Sequence, residues 1–98
     1  MNTIDPTIEF GDFLKTRFLG ERLRSEITRA LEAGDEVQID FSRVSGMTHS
    51  FADECFGDLF AEFGADLFRE RAHLSEMNPA VKSVLRLVFV DRKSHISS

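Results

Sequence analysis

Five residues in the middle of the chain, Val37-Gln38-Ile39-Asp40-Phe41, alternate apolar and polar side chains, and a helical pattern flanks them on each side. Alternation with a period of two marks a strand with one face toward a core. Between Phe18 and Ala33, the residues Leu19, Leu23, Ile27, Ala30 and Leu31 recur at three- and four-residue steps, which predicts an amphipathic helix closed by Gly34. Arg22, Glu26, Arg29 and Glu32 are expected to point away from that stripe. A second stripe follows Ser50: Phe51, Ala52, Cys55, Phe56, Leu59, Phe60 and Phe63, closed by Gly64. A strand held between two helices by short turns leaves few options. Such a chain builds strand–helix–strand crossovers, with parallel strands and right-handed connections.

The rest of the chain extends that pattern. Ile8, Phe10 and Phe13 suggest a first strand, with Gly11-Asp12 as a turn or bulge. A third strand is expected around Arg71-Ala72-His73-Leu74-Ser75, mainly from its place between two helices. Asn78-Pro79 reads as a helix start, with Asn as the N-cap and Pro at the first helical position. Val81, Val84, Leu85 and Val88 carry the stripe of that helix, while Leu87, Phe89 and Val90 leave open a switch to strand near Leu87. The expected fold class is α/β: one domain over residues 1–98 in the order β-α-β-α-β-α, with a mainly parallel sheet covered by helices. Residues 1–7 and 93–98 are expected to fray.

Composition narrows the function classes. The formal net charge is -5, and Arg and Lys are interleaved with Glu, as in Glu21-Arg22-Leu23-Arg24-Ser25-Glu26. Phosphate backbones and anionic membranes both need a basic patch, so neither nucleic acid nor a membrane surface is an expected partner. No apolar run approaches the roughly 20 residues of a membrane span. Met1-Asn2-Thr3-Ile4-Asp5-Pro6 lacks the basic start and apolar run of a signal peptide. Cys55 is the one cysteine, which fits a reducing compartment, so cytoplasm is the expected location. The 10 phenylalanines, with no Trp or Tyr, suit a dry core or a partner-binding face.

One stretch goes beyond the generic reading. The strand ends in Asp40-Phe41-Ser42-Arg43-Val44, a short loop follows, and a helix begins with Ser50-Phe51-Ala52-Asp53-Glu54. This pattern resembles the STAS-like domain family, and with the flanking helices the resemblance spans roughly Thr16 to Arg92. It implies kinship with bacterial anti-sigma factor antagonists, non-enzymatic modules of signal transduction. In these, a serine at the equivalent helix start is phosphorylated by a partner of the histidine-kinase-like ATPase fold. Ser50 falls on that serine, although this chain carries Thr48-His49-Ser50-Phe51 where the antagonists carry Asp-Ser-Ser-Gly. The resemblance therefore implies a protein partner, a histidine-kinase-like ATPase or an anti-sigma-type protein, and Ser50 as phospho-acceptor or contact point.

The residues admit simpler readings too. Ser50 with Asp53 three positions on resembles a capping box, and one serine can cap a helix and accept a phosphate. Thr48, His49, Asp53, Glu54 and Asp58 are the other candidate partner contacts, the acids offering complementarity to a basic surface. The same acids also read as an ordinary solvated face. Asp40 is expected to hold the following loop through local backbone bonds. His49, His73, His95 and Cys55 show no metal-ligand spacing, and the six glycines form no phosphate loop, so no metal or cofactor is expected. Cys55 lies on an apolar stripe and reads as inert. No nucleophile-elbow context surrounds any serine, so no enzymatic activity is expected. The alternatives are a self-associating interaction domain, a homodimer joined through exposed phenylalanines among Phe10, Phe13, Phe18, Phe68 and Phe89, and a small-molecule sensor binding at strand ends.

Overall fold

A computed structural model describes the backbone of residues 2–96 and the side chains of residues 2–93. Met1, Ser97, Ser98 and the side chain of His95 lie outside the described residues, with the parts of the fraying expectation that fall on them. Elements follow in the order β1 (Asn2–Ile4), α1 (Pro6–Phe10), β2 (Phe13–Leu14), α2 (Arg17–Glu32), β3 (Val37–Asp40), β4 (Gly46–Met47), α3 (His49–Ala52), a π-helical turn (Asp53–Gly57), α4 (Asp58–Phe63), α5 (Ala65–Arg71), β5 (Ala72–Ser75) and α6 (Pro79–Ile96).

The main sheet has the order β1-β3-β5, all parallel, with Ile4 opposite Ile39 and Ile39 opposite Leu74. The alternating strand is thus the central one, and Val37, Ile39 and Phe41 are buried as the period of two requires. They meet Leu23, Ile27 and Leu31 from α2, Phe51, Phe56 and Leu59 from the next helical segment, and Val81, Leu85 and Val88 from α6 in one core. Both parallel crossovers carry helices, so the α/β class holds.

The structure departs from the sequence expectation in several places and settles one point that the sequence left open. Ile8 and Phe10 do not form the first strand; they lie in α1. Asp5 caps that helix by accepting from Thr7 N at 2.9 Å and Thr7 Oγ1 at 2.7 Å, and Pro6 fills the first position. The first strand is instead Asn2–Ile4, within the segment expected to fray, because its backbone pairs with β3. Phe13 lies not in the first strand but with Leu14 in β2, paired in parallel with Gly46–Met47 of β4. The last helix shows no switch near Leu87 and continues to Ile96. α5 was not visible as a separate helix; Gly64, at φ 85°, ends α4 and admits the sharp turn into it.

Asn78 and Pro79 start α6 as the sequence requires. Asn78 Oδ1 accepts from Val81 N at 2.8 Å, and its Nδ2 donates to the carbonyls of Val44 and Ser45, both at 3.1 Å. One side chain therefore fixes the start of α6 and the loop after β3.

Candidate functional site

The loop after β3 is held on several sides. Asp40 Oδ1 accepts from Ser42 N at 2.9 Å, a local turn closed by an aspartate. Ser45 donates to Asp12 O from its backbone N at 2.7 Å and from Oγ at 3.1 Å. Thr48 donates to Leu14 O from its backbone N at 2.8 Å and to Lys15 O from Oγ1 at 2.9 Å. With Asn78 on the other side, residues 45–48 are a fixed platform.

Thr48, not Ser50, is the N-cap of α3. Its Oγ1 accepts from Phe51 N at 3.1 Å, and the helix begins at His49. The capping box expected between Ser50 and Asp53 is therefore absent: Ser50 lies inside the first turn, half-buried, and its hydroxyl has no hydrogen-bond partner among the described residues. His49 beside it is exposed.

The acidic residues are not a solvated face. Between Asp53 and Gly57 the helix widens into a π turn, and two arginines from other elements close on it. Arg24 Nη1 of α2 donates to Glu54 O at 2.7 Å, Glu54 Oε2 at 2.6 Å and Asp58 Oδ2 at 2.5 Å. Arg92 of α6 donates from Nε to Asp53 Oδ1 at 3.0 Å, and from Nη2 to Asp53 O at 3.3 Å and Asp58 Oδ1 at 2.5 Å. Asp58 bridges the two guanidiniums. Arg17, more exposed, lies 3.8 Å from Asp53 Oδ2 and 3.5 Å from Glu54 Oε1. Asp53, Glu54 and Asp58 were expected to meet a partner's basic surface; three arginines of the same chain already hold them. The sequence signal for this was available in Arg24 and Arg92, but their distance along the chain gave no reason to connect them.

The charge environment follows. The hydrogen bond from Arg92, with the arginine and His49 charges, holds the Asp53 carboxyl below its ordinary 3.8. The hydrogen bond from Arg24 holds Glu54 below its ordinary 4.5. Glu26, expected to point away from the core, is instead half-buried. Burial and the neighbouring Glu9 carboxylate push it above 4.5, and its Oε2 is buried without a hydrogen-bond partner. Cys55 is fully buried, and that burial pushes its thiol well above its ordinary value, which disfavours the thiolate.

Two glycines let the helices close on this turn. A Cβ on Gly20 of α2 would stand 2.7 Å from the Phe51 carbonyl oxygen. A Cβ on Gly57 would stand 2.9 Å from Asp53 Oδ1 and 3.0 Å from Arg92 Nε. Neither position has room for a side chain without moving the ion pairs or the backbone.

The phenylalanines divide. Phe68 is buried, Phe10 and Phe89 are packed against the core, and Phe13 and Phe18 remain 48% and 68% exposed. Phe13 lies over Gly46 of the platform, and Phe18 is in the first turn of α2 next to Arg17. The structure thus places the exposed ring of Phe13 against the loop that leads into Thr48, His49 and Ser50, and Arg17 against Asp53 and Glu54 one turn further on. Among the described residues no cluster of His, Cys, Asp and Glu is arranged to hold a metal ion, and no helix is long and apolar enough to cross a membrane.

A family model described as a STAS-like domain of unknown function (DUF4325) matches residues 20–82. No curated protein and no solved structure matches the chain.

Proposed function

We propose, from the premise that the chain belongs to this STAS-like family, that it is a non-enzymatic regulatory module that docks a protein partner on the platform of residues 45–50 and the flanking ring of Phe13. The observation that carries this reading is the pairing of a pinned loop with exposed aromatic surface. Large exposed apolar side chains beside a rigid backbone are what a protein interface uses, because little order has to be gained on binding. The partner chemistry that fits by family resemblance is a histidine-kinase-like ATPase or an anti-sigma-type protein of the cytoplasm.

Ser50 is the proposed switch. A phosphate there would sit in the first turn of a helix, where the dipole favours negative charge. It would lie one turn before Asp53 and Glu54, and Arg17 is the most exposed of the three arginines holding those acids. Phosphorylation would draw on Arg17 and change the charge and shape of the platform together. Thr48, with both its donor and acceptor already engaged, supports the platform, while His49 offers an exposed contact.

The test is capture from a lysate of the native host by the unmodified domain, Ser50→Asp and Phe13→Ser, each with its melting curve recorded. The expected result is one partner retained by the unmodified domain and lost by both variants at unchanged folded fraction. Equal retention by all three would remove the platform as the docking site.

A further inference from the structure

A second surface lies away from the platform. α4, α5, α6 and the edge strand β5 line a groove of about 350 Å³, walled by Phe60, Phe68, Leu74, Phe89 and Val90, with Arg69 and Lys93 also in its lining. We propose that this groove binds a small apolar carboxylate, with the hydrocarbon against the phenylalanines and the carboxylate on Arg69.

The volume falls within the roughly 300–1,000 Å³ of small-molecule sites, and the composition is that of such sites: an apolar wall with a polar group to set orientation. The wall is preformed. Phe60, Phe68 and Phe89 contact one another with ring centroids 5.4 to 6.2 Å apart, so no side chain has to be ordered by the ligand. Charge selects the ligand class. The chain has 17 acidic and 12 basic side chains, and Arg17, Arg22, Arg24, Arg43 and Arg92 all meet carboxylates. Arg29, Arg69, Arg71 and Arg86 meet none among the described residues, and of these four Arg69 is the one that lines the apolar groove. A guanidinium in that position fits the planar carboxylate of a ligand, and two parallel N–H bonds would fix the ligand's direction. An apolar amine would face Arg69 and Lys93 as like charges.

The test is a titration of the whole domain with sodium decanoate, decylamine and decan-1-ol below aggregation, followed by ¹H–¹⁵N correlation spectra. Decanoate is expected to saturate, with shifts centred on Phe60, Phe68, Leu74 and Phe89, and to bind about fivefold more tightly than decylamine, the scale of a solvated charge pair. Arg69→Gln, an exposed change that leaves the wall intact, is expected to weaken decanoate binding and reduce that preference while leaving decan-1-ol unchanged. The proposal is overturned if decanoate shows no saturable binding, or if Arg69→Gln leaves its affinity unchanged. It is also overturned if the groove resonances move on dilution alone, which would make the groove an interface between two copies. Sedimentation with phosphatidylglycerol vesicles in the absence of decanoate binding would assign the groove to a membrane surface and equally refute it.

Discussion

Arg92 on the last helix donates from Nε to Asp53 Oδ1 at 3.0 Å, although 38 residues separate them in the chain. The same guanidinium reaches Asp58, which Arg24 holds from the other side, so α2 and α6 are tied together across the π turn. Hydrogen bonds to charged groups are worth about 1.5–3 kcal/mol when the geometry is fixed. Arg92→Met is expected to destabilise the fold by about 2 kcal/mol in urea unfolding. Arg92→Lys should recover only part of that, because one ammonium cannot serve Asp53, its carbonyl and Asp58 in one plane. Equal stability of the Lys variant and the native chain would mean that charge alone matters.

The close approach at the two glycines makes a second prediction. Gly57→Ala inserts a methyl group between Asp53 and Arg92, and Gly20→Ala drives one against the Phe51 carbonyl. Alanine favours helix by about 1 kcal/mol over glycine, so an open site would be stabilised. Here both variants are expected to lose about 1–3 kcal/mol in thermal unfolding, as overpacked sites do. A raised Tm in either would show that the helices have room to separate.

The helix start offers a sharper contrast. Thr48→Ala removes the cap on Phe51 N and the bond to Lys15 O, and is expected to cost about 1 kcal/mol. Ser50→Ala removes no hydrogen bond among the described residues and should stay within about 0.5 kcal/mol of the native chain. Chemical denaturation of the two variants side by side checks this. A large loss at Ser50 would restore it as a structural cap.

Stability should depend on pH with opposite signs at two places. Asp53 and Glu54 have folded-state pKa values below their ordinary 3.8 and 4.5, so their contribution is present above those values and is lost as pH falls through the depressed ones. Glu26 is raised, so its contribution is present below 4.5 and is lost as pH rises through the raised value. Asp53→Asn should flatten the acid limb of a stability profile while lowering stability at neutral pH. Glu26→Gln should flatten the decline above 4.5, because an amide in its place carries no charge to bury beside Glu9. Profiles that keep both slopes in the two variants would assign the dependence to other groups.

The parts of this fold that were legible in the sequence were those governed by one period or one local rule. The alternation at Val37, Ile39 and Phe41 marked the central strand, the stripe through Leu23, Ile27 and Leu31 marked α2, and Asn78-Pro79 marked the start of α6. The N-terminal strand was not legible because Asn2–Ile4 carries no pattern of its own and is strand only by pairing with β3. Asp5-Pro6-Thr7 did hold a helix-start signal, which the apolar Ile8 and Phe10 masked. At the site, Thr48 and Ser50 were both plausible caps by residue type, and only the backbone position decides between them. The ion pairs were beyond reach for a different reason. Asp53, Glu54 and Asp58 at helical spacing look solvated until Arg24 and Arg92, each at least 30 residues distant in sequence, arrive from separate helices.

The proposed docking surface is tested most directly by hydrogen exchange of the domain alone and in complex with the captured partner. Slowed exchange is predicted in residues 13–18 and 45–51, with the groove beside β5 unchanged. Protection confined to β5 and α6, with the platform exchanging at its free rate, would contradict the proposal and place the partner on the opposite kind of surface, the apolar groove.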